Sequence, residues 1–531
     1  MVSAASEKFR PWGGVAKLNM SISRLTRNIK FNLVGQALLL ILGFIAVKYI
    51  HQKLGEDTLG IIYFASAMNV ILCGILEKGV HATNIREVSE NYNDSSSYIK
   101  EFIRTGSLFC WLMYCIFSIV VYCGAPFLVK NWINLKSLDH QTAISVLRLL
   151  GISSLFGFPQ SHYSSLIRGL QRMGINNIVD VASSAIQQFG ILFILTNGDS
   201  LYSVVYFIFF CQALKTLVYL YYVGCFWGWG VTIPGYSRSV VLKNIEFTKK
   251  MVSISFMAMV IRQADQVIIS KLLPISLLGY YSFAYGIINN AGFVSNAIGN
   301  AAYPTLCSLY KKGNNENLLS MFRKLQDLIC FMTVPAFVLI PIFARHIFSF
   351  TFNDTVSSQL LLPTILLSLG FYMNGTISIY YKLVLAVGRP EIIVRLSRYT
   401  LFLIPLATLL FVYFWGLVGA GLGWVLYPFF YYVYGIPVIY SAGGIGEPPR
   451  VFYSRLIRIL ILTIMSYGLM LMIIFYFNFS SIFALTVASI VGSFVYCVGA
   501  YFMAGDELRE SIVRYIQQLR KILPFLREFY V

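Results

Sequence analysis

Charge is scarce in this sequence, and acid is scarcer than base. Only 12% of the 531 residues are charged, with 22 Asp and Glu against 41 Lys and Arg. An ordinary soluble domain carries about 25% charged residues, so a water-facing globule is excluded. Catalytic motifs are missing as well. No HExxH, GxSxG, P-loop or paired CxxC occurs, and no carboxylate cluster would serve glycosyl transfer. That sets aside hydrolases and an ATP motor bound by this chain. The nine cysteines (73, 110, 115, 123, 211, 225, 307, 330 and 497) stand in apolar segments and are odd in number. They read as buried thiols rather than disulfides or metal ligands. Long loops are also lacking, which argues against a membrane-embedded glycan polymerase or ligase with an external active-site loop.

What is abundant is apolar sequence. Hydrophobic residues make up 57% of the chain and aromatic ones 16%. They fall into runs of about 20 residues, the length a helix needs to cross the hydrocarbon layer. Fourteen such runs are expected to span, near 29–50, 58–78, 101–128, 144–168, 175–196, 201–226, 248–270, 276–306, 325–350, 358–386, 391–414, 416–440, 452–477 and 479–503. The fold expected is therefore an all-α polytopic membrane protein with about 14 transmembrane helices. The first run is too long for the apolar core of a signal peptide, about 7–15 residues, and reads as a retained helix.

The net charge of +19 has a membrane explanation, and no nucleic-acid partner is inferred from it. With fourteen spans, roughly 32 of the 41 basic residues fall at the two termini or in alternate loops, the positive-inside bias. Both termini are thereby expected in the cytoplasm, with basic clusters such as Lys243, Lys249 and Lys250 beside anionic headgroups.

An internal repeat organises the spans. "KLGEDTLGIIYFASA" (53–67) follows the first span and "KLLPISLLGYYSFAYG" (271–286) follows the seventh. Aligning Leu59-Gly60 with Leu278-Gly279 matches Leu-Gly-x-x-x-Phe-Ala in both. Gly174 and Gly388 align at nearly the same offset, inside "SSLIRGLQRMGINNIVD" and "SIYYKLVLAVGRPEIIVRLSR". Because six is even, the halves run parallel, related by a pseudo-two-fold axis along the membrane normal. The expected organisation is a cytoplasmic segment (1–28), an N-lobe of six spans (29–230), a linker (231–247), a C-lobe of six spans (248–440), two appended spans (441–503) and an amphipathic tail (504–531). That tail, with Arg509, Arg514, Arg520 and Lys521 among apolar residues, is expected to lie on the membrane surface. Gly419 and Gly423 in "GLVGAGLGWV" are expected to permit close helix packing.

A few charges sit where they are costly. "MVIRQADQVIIS" (259–270) places Arg262 and Asp265 three residues apart inside the seventh span, on one helix face. A charge at the bilayer centre costs from about 2.5 to more than 10 kcal/mol. Lys215 lies near the middle of the sixth span, and Arg27 and Arg86 stand at the inner ends of the first two. His81 and His162 read as ordinary hydrogen-bonded side chains.

"NLVGQALLLILGF", "GVHATNIREVS", "LIRGLQRMGINN" and "RQADQVIISKLLPISLLGYYSFA" resemble the polysaccharide-transporter branch of the multidrug/oligosaccharidyl-lipid/polysaccharide exporter superfamily, which includes the Wzx-type O-antigen flippases. The resemblance covers roughly residues 20–440. It implies a transporter of the bacterial inner membrane, not an enzyme, with no cofactor. The implied partners are the lipid bilayer, an undecaprenyl-pyrophosphate-linked glycan moved from the cytoplasmic to the outer leaflet, and other polysaccharide-assembly membrane proteins. For such a cargo Arg262, Lys215, Arg27 and Arg86 are the candidate substrate-binding cations. A guanidinium fork matches phosphate oxygens, which puts Arg262 first. Asp265 is the candidate charge partner that holds Arg262 neutral in an empty cavity, or the site of H⁺ or Na⁺ coupling. Asn289, Asn290, Asn296 and Asn300 on the eighth span are candidate sugar contacts. The alternative class is an ion-coupled antiporter of small soluble compounds, for which an acidic or aromatic cavity is expected.

Overall fold

The computed structural model of the chain describes residues 41–510, apart from 91–96, 171, 199, 443–445, 477–481 and 507. Among the described residues every regular element is a helix, and one isolated bridge joins Asn134 to Pro274. In a hydrocarbon layer each backbone N–H and C=O must be satisfied within the segment, and a helix achieves that for an apolar run.

Twelve helices among the described residues are long and apolar enough to cross a membrane. They coincide with twelve of the fourteen expected spans, so the number fourteen is not established. The run 29–50 falls largely outside the described residues, and its described part belongs to a helical stretch at 41–54. The run 276–306 is divided between the helices Ile275–Ala291 and Phe293–Lys311, which meet at Gly292. Asparagines 289, 290 and 296 flank this junction and dilute its apolarity. Of the expected linker 231–247, the part from Arg238 onward is already the start of the 35-residue helix Arg238–Leu272. At 1.5 Å per residue that helix is about 50 Å long, so it extends beyond the roughly 30 Å hydrocarbon layer. Arg27 and the tail beyond residue 510 lie outside the described residues.

The core follows the two halves. One buried cluster draws mainly on the first half, including Val88, Phe102, Tyr163 and Val223, and is closed by Val231 and Val240. Another draws on the second half, including Phe322, Leu383 and Leu396, together with Phe452 of the appended helices. The largest joins both, with Leu59, Ile61 and Phe64 against Leu278, Tyr281 and Phe283. There the repeat motifs meet. A Cβ on Gly279 would stand 2.9 Å from the Gly60 nitrogen, and one on Gly60 would stand 2.1 Å from the Ile275 carbonyl oxygen. Only glycine allows backbones this close.

The same end is tied by a strap from the first half, residues 131–138. The Ile275 N–H donates to the Asn134 carbonyl (3.0 Å), the Asn134 amide to the Lys271 carbonyl (3.0 Å), and Trp132 Nε1 to Ser270 Oγ (3.0 Å). Asp57 Oδ2 in turn accepts the N–H groups of Lys136, Ser137 and Leu138 at 2.6–3.1 Å. At the opposite end of the Arg238–Leu272 helix, Thr248 pairs with Thr83 (3.1 Å) and Asn244 accepts from Arg86 (3.0 Å).

The last helices dock on the second half through a buried apolar cluster, with Phe331 and Val334 against Ile459 and Leu462, and through polar contacts. Arg455 is buried between Asp327 and Glu447, donating to Glu447 Oε2 at 2.8 Å and to an Asp327 oxygen. Tyr496 donates to the Phe331 carbonyl (3.2 Å).

Candidate functional site

Arg262 lies ten residues from the Leu272 end of its helix, about 15 Å along the axis, and its side chain is exposed. One turn later Asp265 is buried at 4% exposure. The two do not form the ion pair that their spacing led us to expect. Asp265 turns inward instead. Its Oδ2 accepts from the Tyr281 hydroxyl and from Trp424 Nε1, each at 2.8 Å, and its Oδ1 accepts the Gln266 N–H at 2.8 Å. Three neutral donors thus hold the carboxylate, and Arg262 lines the cavities beside it, with its guanidinium near Tyr285. Sequence spacing placed the residues on one face, but Tyr281 and Trp424 come from other helices and compete for the carboxylate.

Two cavities meet at Arg262. The smaller, ≈ 20 Å³, lies between Arg262, Asp265, Thr408, Trp424 and Tyr427. The larger, ≈ 130 Å³, is lined by Arg262 with Asn289, Ser295, Asn296, Asn374 and Ser378, and by the rings of Phe371, Trp424 and Tyr427. Phe371 and Trp424 stack with centroids 4.4 Å apart, and Tyr285 meets both edges at 5.2 and 5.5 Å. The Trp424 ring reaches this position because its helix packs very closely on the helix Pro390–Trp415. A Cβ on Gly423 would lie 2.3 Å from Thr408 Oγ1, and one on Gly419 would lie 2.0 Å from the Phe411 carbonyl oxygen. These are the glycines expected to permit close packing.

The other sequence candidates lie elsewhere. Lys215 Nζ stands 2.9 Å from Asp180 Oδ1, which also accepts from the Tyr219 hydroxyl at 2.9 Å. Arg86 pairs with Glu87 (2.6 Å) beside Asn244. Neither lines a cavity with Arg262, so the structure gathers one of the four candidate cations with Asp265 and holds two others against carboxylates. His162 is buried, its Nδ1 2.9 Å from the Asn84 amide; His81 is outside the Arg262 cavities.

Around Arg86 the electrostatics are those of a structural cluster. Burial pushes the Glu87 carboxyl up, but hydrogen bonds from Tyr98, Arg86 and Lys243 outweigh it and hold the group below the usual carboxylate value.

Trp424, Asn374, Ser378 and Ser295 were not singled out from sequence; Tyr427 is one of the span-twelve tyrosines that the sequence offers as sugar contacts. A tryptophan directly after the glycine-rich stretch 416–423 was the available signal for Trp424.

Comparison with known proteins gives four findings. The family described as "Polysaccharide biosynthesis protein" matches residues 25–310. A Shigella flexneri protein named "Putative O-antigen transporter" is 23% identical over 412 residues, covering 75% of this chain and 94% of its own. Among solved structures, the lipid II flippase MurJ in an inward closed conformation superposes with a TM-score of 0.67 at 14% identity, over 89% of this chain and 98% of its own. An inward-facing multidrug resistance MATE family transporter of the MOP superfamily gives 0.64 at 14% identity, over 76% and 95%. Both likenesses establish the fold, which this chain shares with these two structures.

Proposed function

This chain belongs to the polysaccharide biosynthesis protein family, and from that membership we propose that it is a flippase for a lipid-linked oligosaccharide. It carries an undecaprenyl-pyrophosphate-linked repeat unit from the cytoplasmic to the outer leaflet of a bacterial inner membrane, by alternating access between its two halves. The relative named as an O-antigen transporter and the MurJ-like fold support a lipid-linked cargo. The positive-inside bias supports cytoplasmic termini. On that orientation the strap 131–138 closes the outward end.

The observation that carries the reading is Arg262. It is exposed at membrane depth, has no carboxylate partner among the described residues, and opens on a polar cavity. A pyrophosphate diester needs compensation on leaving water, because an unpaired ion in a low-dielectric medium costs tens of kcal/mol by Born estimates. Arg262 supplies a bidentate charge at that depth. The prenyl tail stays in the bilayer throughout. An inside-negative potential favours outward movement of the anion by about 2.3 kcal/mol per charge per 100 mV. Asp265, a buried carboxylate held by neutral donors, is the place for H⁺ or Na⁺ coupling.

The test is complementation of a strain lacking this gene with Arg262→Ala and Arg262→Lys, scoring surface glycan against membrane abundance. Both variants are expected to lose surface glycan at normal abundance, since an ammonium lacks the planar fork. Full activity in both would move the anion site elsewhere.

A further inference from the structure

A third cavity, ≈ 240 Å³, lies apart from Arg262, between the helices Glu56–Glu90, Ser97–Asn131, Gly157–Gly169 and Arg238–Leu272. It shares no lining residue with the two described above. Its wall is mainly apolar, with Phe102, Phe109, Met113, Phe158, Val241 and Ile245. The polar side chains among them are engaged within the protein. Thr83 and Thr248 pair with each other at 3.1 Å, and Asn84 pairs with His162 Nδ1 and Ser165 Oγ. Asn244 donates to the Tyr98 hydroxyl, and Thr105 Oγ1 accepts the Ser237 N–H. Nothing in that wall calls for a polar ligand, and close-fitting carbon gains the most contact there. An apolar cavity of roughly 150 Å³ already admits benzene, so this one takes several carbons of a chain.

Depth and charge identify the chain. Met113 lies about 27 Å from the Asn131 end of its helix, and Phe102 about 44 Å. Across a hydrocarbon layer of about 30 Å, with the termini in the cytoplasm, the cavity runs from the acyl region of the inner leaflet to its headgroups. The mouth is lateral: Phe109 and Ile245, on two different helices, are 41% and 38% exposed. Its rim is basic. The segment 238–249 carries Arg238, Lys243 and Lys249 against Glu246, all four exposed. Glu101, on the facing helix, accepts from Ser237 Oγ at 2.8 Å. A basic rim at this depth attracts anionic headgroups. The prenyl chain of the proposed cargo does not fit the position. It is bonded directly to the pyrophosphate, whereas Thr248 stands 14 residues before Arg262, about 21 Å along the helix.

We infer that this cavity is a site for an anionic phospholipid of the inner leaflet, with one acyl chain entering between Phe109 and Ile245 and the phosphate over Arg238 and Lys249. The chain bridges the two halves at the cytoplasmic end. Phe109 and Met113 belong to the first half, and Val241 and Ile245 to the helix that opens the second.

The experiment extracts the full chain from vesicles of phosphatidylglycerol and phosphatidylethanolamine in equal parts, with identical acyl chains, and counts the phospholipid retained. The unsubstituted protein is expected to retain phosphatidylglycerol over phosphatidylethanolamine by roughly tenfold or more, the scale of two surface cations. Ile245→Trp, which plugs the mouth, is expected to lose that lipid. If Ile245→Trp does not reach the membrane, Val241→Phe, which fills the cavity from the same helix, decides. Arg238→Gln combined with Lys249→Gln is expected to bring the two lipids toward parity. Equal retention of both lipids by the unsubstituted protein, or retention unchanged in the filled variant, overturns the site. Displacement of the retained lipid by undecaprenyl phosphate also overturns it and gives the cavity to a prenyl chain.

Discussion

Gly60 and Gly279 hold the same position in the two repeats, and the structure packs them backbone against backbone, with the Cβ position of Gly279 2.9 Å from the Gly60 nitrogen. The repeat is therefore a contact surface as well as an echo in the sequence. Each copy supplies the flat patch its counterpart needs, and a seam of this kind can part and re-form without interlocking side chains.

Gly60→Ala would place a methyl 2.1 Å from the Ile275 carbonyl oxygen. Backbone cannot retreat as a flexible side chain can, so the seam should open, at about 1–3 kcal/mol as for other overpacked sites. The measurement is labelling of Ser276→Cys, a position 1% exposed, by a membrane-impermeant maleimide. Labelling should rise in the Gly60→Ala background. Unchanged labelling with full transport would show that the seam does not control this end.

The strap depends on Asp57. Its Oδ2 gathers three consecutive N–H groups, and the side chain is 1% exposed. Asp57→Ala leaves those donors without an acceptor, at about 1–3 kcal/mol, and frees the segment that carries Asn134 and Trp132. Asp57→Asn keeps an oxygen and should cost less. Thermal midpoints of the detergent-solubilised variants should fall in the order unsubstituted, Asn, Ala. Equal midpoints would mean that the strap is held from the Asn134 side alone.

Hydropathy placed twelve of the spans because lipid makes the same demand on each of them, and the demand is local. The repeat that carries Gly60 and Gly279 was legible, but that the two copies pack on each other was not. What escaped were contacts made by residues remote in sequence. Trp424 meets Asp265 from 159 positions away, and Arg455 meets Asp327 from 128 away. Nothing in "YSRLIRIL" separates Arg455 from a topology signal. Arg262 and Asp265 looked like a pair because helical spacing speaks only to one helix, and the competing donors lie on two others.

Arg455 should be among the least replaceable residues for stability. It is 4% exposed between Asp327 and Glu447, with Asp327 Oδ2 also accepting the Gly505 N–H at 2.8 Å. Arg455→Met takes the cation from the buried Asp327 and leaves Glu447 with Arg323 alone, a loss of about 3–5 kcal/mol by analogy with other broken buried pairs. Membrane abundance should drop sharply. Adding Asp327→Leu and Glu447→Leu should restore much of it, because an apolar replacement of a whole cluster is tolerated. No recovery would show that the charges themselves orient the last two helices.

Acid should loosen the contact between the helices Glu56–Glu90 and Arg238–Leu272. The Glu87 carboxyl is held below its ordinary 4.5, so its stabilising contribution is present above that value and disappears as pH falls through the depressed one. Arg86, Lys243 and Tyr98 surround it. Against Glu87→Gln, the unsubstituted protein should have the higher thermal midpoint at pH 7, and the gap should close below about pH 4.5. A gap constant down to pH 3 would assign the effect to shape rather than charge.

Asp265 is where coupling and architecture can be told apart. Its carboxylate is buried among neutral donors, and a full charge so placed is stabilised further by any proton or small cation that reaches it. Asp265→Asn keeps an oxygen for Tyr281 and Trp424 but takes up neither H⁺ nor Na⁺ at physiological pH. If the carboxylate couples transport, flipping by the unsubstituted protein in sealed vesicles should depend on an imposed Na⁺ or pH gradient, and the asparagine protein should still fold, still move lipid down its own gradient, and lack that dependence. Asp265→Leu, which also removes the acceptor of two buried donors, should lower the thermal midpoint as well, at about 1–3 kcal/mol per stranded group. Should Asp265→Asn keep the full gradient dependence, the ion site lies elsewhere, and Asp265 serves to fix the Trp424 ring.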